Sequence, residues 1–274
     1  MDRIVSCEQY NHIVDRAADR RCGLTNCYFL PSAIQQKVED GKLYWQDVPD
    51  GLLLLDDNGA FYRCYYYLAE DARPEGVTLD KDAVIEFPFS GEMNDRQRRQ
   101  VGMIEAMGFR LGRESGMMSA SPDAVIAVSG EQASPCVAAQ ASDAAGITAL
   151  ISACFNPLYA FLPTGEELDA MIDRNAVLVI REGNEVAAAL ISSFEKRIAT
   201  VNQVAVDPAC RRRGYARMLM QAYHGQYADR AAAFRHWVDI NNVPAVNMYR
   251  GLGYGFNLRR ANEYILIQRK ENDQ

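Results

Sequence analysis

Val204-Ala205-Val206-Asp207-Pro208-Ala209-Cys210-Arg211-Arg212-Arg213-Gly214-Tyr215-Ala216 is the stretch whose reading decides the fold of this chain. Val204-Ala205-Val206 reads as the end of an apolar strand, and Ala216, Leu219, Met220 and Tyr223 then recur at helical spacing. Between them lies a tight loop of three arginines and a glycine. A helix start leaves backbone N–H groups unpaired and carries partial positive charge. Gly214 and the small Ala216 let the backbone approach a bulky anion, and the arginines can add charge-assisted hydrogen bonds. Such a loop makes a pyrophosphate cradle; a solvated basic turn capping a helix has the same composition.

A second segment decides between these two readings. Asn242, Ala245, Tyr249, Gly253 and Tyr254 follow the spacing N-x-x-A-x-x-x-Y-x-x-x-G-[FY], about 28 residues beyond the loop. Ala245 and Tyr249 share a helix face, and Gly253 is a natural helix stop. With Arg211-x-x-Gly214-x-Ala216, which matches the signature [QR]-x-x-G-x-[GA], the two segments resemble the GCN5-related N-acetyltransferase (GNAT) superfamily over about Pro135 to Arg269. The resemblance implies an α/β (α+β) fold with a mixed central sheet flanked by helices. It also implies acetyl-CoA as co-substrate and an amine as acceptor. Val204, Ala205 and Val206 would offer backbone groups to the pantetheine. Arg211 and the N–H groups of Arg212, Arg213, Gly214, Tyr215 and Ala216, with Arg217 nearby, would hold the pyrophosphate. Asn242 would touch the pantetheine arm. Tyr249 would lie near the sulfur and protonate the departing thiolate, and the N–H of Val206 or a close neighbour would stabilise the oxyanion. The family often uses a Glu as general base on the strand entering the loop. Here Asn202 and Gln203 stand there, leaving Asp239 and Glu195 as the nearby carboxylates, or water, or an amine that arrives neutral.

Working outward, the chain after Pro135 reads strand, two helices, three strands, helix, strand, helix, two strands. Ser142 is expected to cap the first helix, and Thr164-Gly165-Glu166-Glu167 forms a capping box for the second. The first half gives a fainter echo. Tyr10, Ile13, Val14 and Ala17 mark a helix, and Pro31 to Val38 another. Asn58-Gly59 joins two strands as a hairpin, and Asn94 caps a helix. Gly108-Phe109 and Gly253-Tyr254 recur at an offset of 145 residues, which points to a duplicated domain. At that offset Gln97 stands for Asn242 and Ile104 for Tyr249, and nothing between Leu68 and Val84 resembles the cradle. The expected organisation is a degenerate GNAT-like domain at 1–128, a linker at 129–135 and the acetyl-CoA-binding domain at 136–274. One chain would then be a monomeric pseudo-dimer or would form homodimers.

Composition sets the remaining bounds. The chain has 274 residues, enough for one large domain or two modest ones, with 49% apolar and 24% charged residues, which excludes a disordered or fibrous protein. No apolar run approaches the roughly 20 residues needed to span a bilayer, and the charged Met1-Asp2-Arg3 start lacks a signal core, so a cytoplasmic location without a membrane partner is expected. A net charge of -7 argues against nucleic acid and weakly favours a cationic amine. Seven cysteines without CxxC spacing indicate reduced thiols and no metal. Cys210 beside the arginines is either a reactive thiol or a small loop filler. His236 reads as packed, not catalytic, His12 and His224 sit on helix patterns without a carboxylate or cysteine partner at metal spacing, and Tyr65-Tyr66-Tyr67 reads as a cleft lining or as sheet packing. An N-acetyltransferase is the first functional reading, and an acyl-CoA-binding sensor without turnover is its rival.

Overall fold

The computed structural model describes residues 1–19, 21–125 and 135–268; residues 129–134 of the expected linker lie outside these. The first half of the chain runs β1 (Asp2–Arg3), α1 (Cys7–Asp19), β2 (Leu24–Thr25), α2 (Pro31–Glu39), β3 (Leu43–Val48), β4 (Gly51–Asp57), β5 (Phe61–Leu68), β6 (Asp82–Ser90), α3 (Asp95–Ala106) and β7 (Arg110–Ala120). The second half runs β8 (Cys136–Ala138), α4 (Ala144–Cys154), α5 (Gly165–Asp173), β9 (Val177–Glu182), β10 (Glu185–Glu195), β11 (Ile198–Val206), α6 (Tyr215–Tyr227), β12 (Ala233–Asp239), α7 (Val243–Arg250) and β13 (Gly255–Leu266). The sequence reading divides the halves at 1–128 and 136–274. The compact units are Met1–Glu114 with Arg259–Gln274, and Ser115–Leu258. Each unit thus takes one strand from the other half of the sequence, because β7 and β13 are long enough to begin in one unit and end in the other.

In the first unit the strands lie in the order β1-β3-β4-β5-β6, followed by Arg259–Leu266 of β13, which pairs antiparallel with β6. Leu52 to Leu55 on β4 are all buried because both faces are covered. Leu53 and Leu55 join a core with Ile104 of α3, while Leu52 and Leu54 pack with Ile13 of α1 and Val38 of α2. The Asn58-Gly59 hairpin forms as its sequence requires, with Gly59 at φ 83°. β5 and β6 run parallel and pair only from Phe61 to Arg63, opposite Asp82 to Val84. Beyond that point they part, and β2 and Asn26 stand at the opening. β2 pairs with Tyr67 and Leu68 of β5. The Asn26 amide donates to the carbonyls of Cys64 (3.4 Å) and Glu86 (3.1 Å) and accepts from the Tyr66 N–H (2.9 Å). One side chain therefore staples the two diverging strands. No helix joins β5 to β6; residues 69–81 are irregular.

The second unit has strand order β8-β9-β10-β11-β12, followed by Ser115–Ala120 of β7, which pairs antiparallel with β12. Helices α4 and α5 pack on one face around Ile147, Leu168 and Ala205. Helices α6 and α7 pack on the other around Leu219, Tyr223, Phe234 and Tyr249. The Thr164 capping box is present: Thr164 accepts from the Glu167 N–H at 3.3 Å, and Glu167 accepts from the Thr164 N–H at 2.8 Å. Two local expectations change. Ser142 does not cap α4, because Ala141–Asp143 forms a short 3-10 turn in which Asp143 takes the Gln140 N–H at 2.7 Å. The last two expected strands are one continuous strand, β13.

The internal comparison also changes. Gly108 and Gly253 both end their helices in the left-handed region, at φ 99° and 90°, so the 145-residue offset holds there. At the helix starts it does not, because α3 has 12 residues and α7 has 8. The cap equivalent to Asn242 is therefore Asn94, not Gln97: each asparagine accepts an N–H from three residues on, at 3.2 Å and 2.9 Å.

Candidate active site

β11 and β12 are parallel and pair for four residues, from Ile198–Val201 opposite Ala233–His236. β11 then continues to Val206 and β12 to Asp239 without pairing, so the sheet of the second unit splits after Val201 and His236. On its other edge β11 stays paired with β10 as far as Val206. The Asp207 N–H donates to the Ala187 carbonyl at 2.9 Å on that edge. Peptide groups alternate along a strand, so the backbone of Ala205 also faces β10, while the N–H groups of Val204 and Val206 face the split. A β-bulge between Ile191 and Ser192 resets the register just where the split begins.

The loop beyond β11 ends at Gly214, in the left-handed region at φ 83°, with Arg212 also at positive φ. Side chains cap α3, α5 and α7, but none caps α6. The first-turn N–H groups of this 13-residue helix carry the partial positive charge of its N-terminus.

The expected arginines divide in their tasks. Arg211 turns back on its own strand, donating from Nε to the Val206 carbonyl at 3.4 Å. Arg212 is exposed at the tip. Arg213 pairs with Glu182 at the end of β9, and the Tyr215 hydroxyl donates to the same carboxylate at 2.6 Å. These two partners, Tyr215 foremost, hold the Glu182 carboxyl below its usual range. Arg217 reaches the C-terminal end of α7, where a methyl placed on Gly251 would stand 3.0 Å from its Nη2. A cation is favourable at that end of a helix. Cys210 is half-buried, and desolvation and then Glu182 raise its pKa against the pull of Arg213, so it is a thiol and not a thiolate.

Tyr249 sits on α7, 8% exposed, and burial pushes its pKa up to about 12. It stays protonated across the neutral range and can act only as a proton donor there. Its ring lies against His236, with centroids 3.7 Å apart. At the strand positions where the family places its base, Asn202 is exposed, with Oδ1 3.5 Å from the Ser193 hydroxyl. Gln203 is buried and donates to the Phe161 carbonyl in the loop between α4 and α5. Asp239 accepts the Asn241 N–H at 2.8 Å and so serves the turn into α7, and Glu195 is exposed at a hairpin end. Among the described residues no cluster of His, Cys, Asp or Glu is arranged to hold a metal, and no helix is long and apolar enough to cross a membrane. Sequence reasoning passed over Glu182, which lies 31 residues before Arg213 and is brought to it only by sheet pairing.

Comparison with known proteins bears on the same segment. Residues 145–254 match the family model described as the acetyltransferase (GNAT) family. No curated protein matches this chain. Among solved structures, a tandem GNAT protein from the clavulanic acid biosynthesis pathway aligns over 97% of both chains, at 12% identity and TM-score 0.51. A GCN5-related N-acetyltransferase from Sphaerobacter thermophilus aligns over 82% of this chain and 83% of that one, at 14% identity and TM-score 0.53. A glucosamine N-acetyltransferase region of a fungal multi-domain β-N-acetylglucosaminidase aligns over 78% of this chain and 31% of that one, at 14% identity and TM-score 0.55. At these identities the likeness is one of fold. The split strands, the glycine turn and the uncapped helix all lie inside residues 145–254, the segment that matches the acetyltransferase (GNAT) family model.

Proposed function

We propose that this protein is an acetyl-CoA-dependent N-acetyltransferase that acetylates a primary amine of a small molecule or peptide in its second unit. The observation that carries this reading is the split after Val201 and His236, which leaves the Val204 and Val206 N–H groups unpaired by β12. The N–H groups around Gly214 to Ala216 and the α6 dipole suit a pyrophosphate, with the exposed Arg212 beside them. Asn242 is already engaged as the α7 cap, so its part is to fix that helix start beside the cofactor arm.

In the reaction the amine nitrogen attacks the thioester carbonyl carbon, and the negative charge on the carbonyl oxygen is met by a β11 N–H, that of Val206 or its neighbour Val204. As the C–S bond breaks, the Tyr249 hydroxyl gives its proton to the sulfur. No carboxylate stands on the strand entering the loop, so the acceptor enters as the free amine and its surplus proton leaves to water. One acyl-CoA per chain is expected, since Asn26 ties β5 to β6 across the corresponding opening of the first unit.

Acetyl-CoA with a panel of primary amines, followed by thiol release, tests the reading. Tyr249→Phe should slow turnover about 100-fold while CoA binds as before. CoA binding with no turnover for any amine would instead support an acyl-CoA sensor, the reading that the missing carboxylate favours.

A further inference from the structure

His236 is buried, polar and unused by this chemistry. It is 1% exposed, and among the described residues neither Nδ1 nor Nε2 has a hydrogen-bond partner. Some 90% or more of buried polar groups in proteins are bonded, and a phenyl ring would fill the same space without desolvating two nitrogens. Its position is also particular, since Val201 and His236 form the last pair before β11 and β12 part, at the closed end of the split. On the α6 and α7 face its ring lies against Tyr249, at 3.7 Å between centroids and 41° between planes. Tyr254 stands edge-on at 4.9 Å, and its hydroxyl is hydrogen-bonded to His224 Nε2 at 2.8 Å, so it is already engaged elsewhere. Burial, and then His224, push the His236 pKa down to about 3, so the ring is neutral and carries one N–H donor. Tyr249, for its part, is raised by burial alone.

We propose that His236 is a positioning residue for Tyr249: its ring N–H hydrogen-bonds the Tyr249 oxygen once the split is filled, and so stabilises the phenolate left when Tyr249 gives its proton to the departing sulfur. His236 keeps its own proton throughout; the phenolate is reprotonated by the proton that the acceptor nitrogen has released to water. The proposal rests on the reading of Tyr249 as the acid and adds the group that makes a buried tyrosine acidic enough to serve.

The test has two arms. The chain has only three histidines, so ring-nitrogen NMR of 15N-labelled protein resolves His236, assigned by its loss in His236→Gln. Saturation with CoA should shift one His236 nitrogen in the wild type and not in Tyr249→Phe. In the second arm His236→Phe should lower kcat at least about tenfold with CoA affinity within about twofold, and His236→Gln, which keeps an N–H donor, should recover part of that loss. In a Tyr249→Phe background neither replacement should slow the reaction further. Equal loss in both backgrounds, or a His236 shift that survives Tyr249→Phe, would overturn the proposal. A wild type that binds CoA and acetylates nothing would refute the transferase reading instead, and the NMR arm would still decide the contact between His236 and Tyr249.

Discussion

Replacing Gly214 by alanine isolates the backbone geometry of the cradle from its charge. The residue sits at φ 83°, and the nearest atom to an added Cβ would be Met218 Cε at 3.8 Å, an ordinary contact. The penalty is therefore conformational: the left-handed region costs an L-residue roughly 1–2 kcal/mol. Alanine can escape that cost by leaving the region, but the N–H groups of 214 to 216 then turn away from the anion. If the free loop relaxes fully, the whole cost falls on binding, and the CoA dissociation constant rises about 5- to 30-fold. If the loop stays strained, the same energy appears as lost stability, at roughly 2–4 °C of thermal midpoint per kcal/mol. Calorimetric titration with CoA, paired with thermal unfolding, measures both shares. Asparagine tolerates the left-handed region, so Gly214→Asn should bind more tightly than Gly214→Ala. Wild-type affinity and stability in Gly214→Ala, or Asn binding more weakly than Ala, would refute the reasoning.

Other positions give sharp expectations of their own. A Cβ on Gly253 would lie 1.9 Å from the Ala124 carbonyl at φ 90°, so Gly253→Ala should cost the second unit about 2–4 kcal/mol, read as a lowered thermal midpoint. Asn26→Ala should speed amide hydrogen exchange at Tyr66, whose N–H it leaves without its acceptor, while CoA affinity is unchanged. Arg181 holds the buried Asp143 carboxyl below its usual range. The stability this adds is complete above the unfolded carboxyl pKa of about 4 and is lost as pH falls through the lower folded value. An acid unfolding series should accordingly show a drop below about pH 4 that is weaker in Asp143→Asn.

The second half was legible because its chemistry is local. A strand, a glycine turn and a small-residue helix start must follow one another within a dozen residues to cradle an anion, and Val204 to Ala216 do so. Leu24–Thr25 gave no comparable signal, since two residues become a strand only by finding the free edge of β5. β3 carries no alternating pattern in its sequence, because only its end residues, Leu43 and Val48, are buried. The 145-residue offset misled at Gln97 because α3 and α7 differ in length while ending in the same glycine turn. His236 could be read as packed but not as unpartnered, for that depends on what β12, α6 and α7 leave around it.

The exchange of strands has a practical consequence. A nick anywhere between 125 and 135 would produce two fragments, neither of which encodes a whole unit. The amino-terminal piece would carry Ser115–Ala120, the edge that the second unit needs beside β12, and the carboxy-terminal piece would carry Arg259–Leu266, the edge that covers β6. Expressed alone, each would present a raw sheet edge, the usual seed of aggregation; expressed together, they should reassociate and restore the function in the manner of a split reporter.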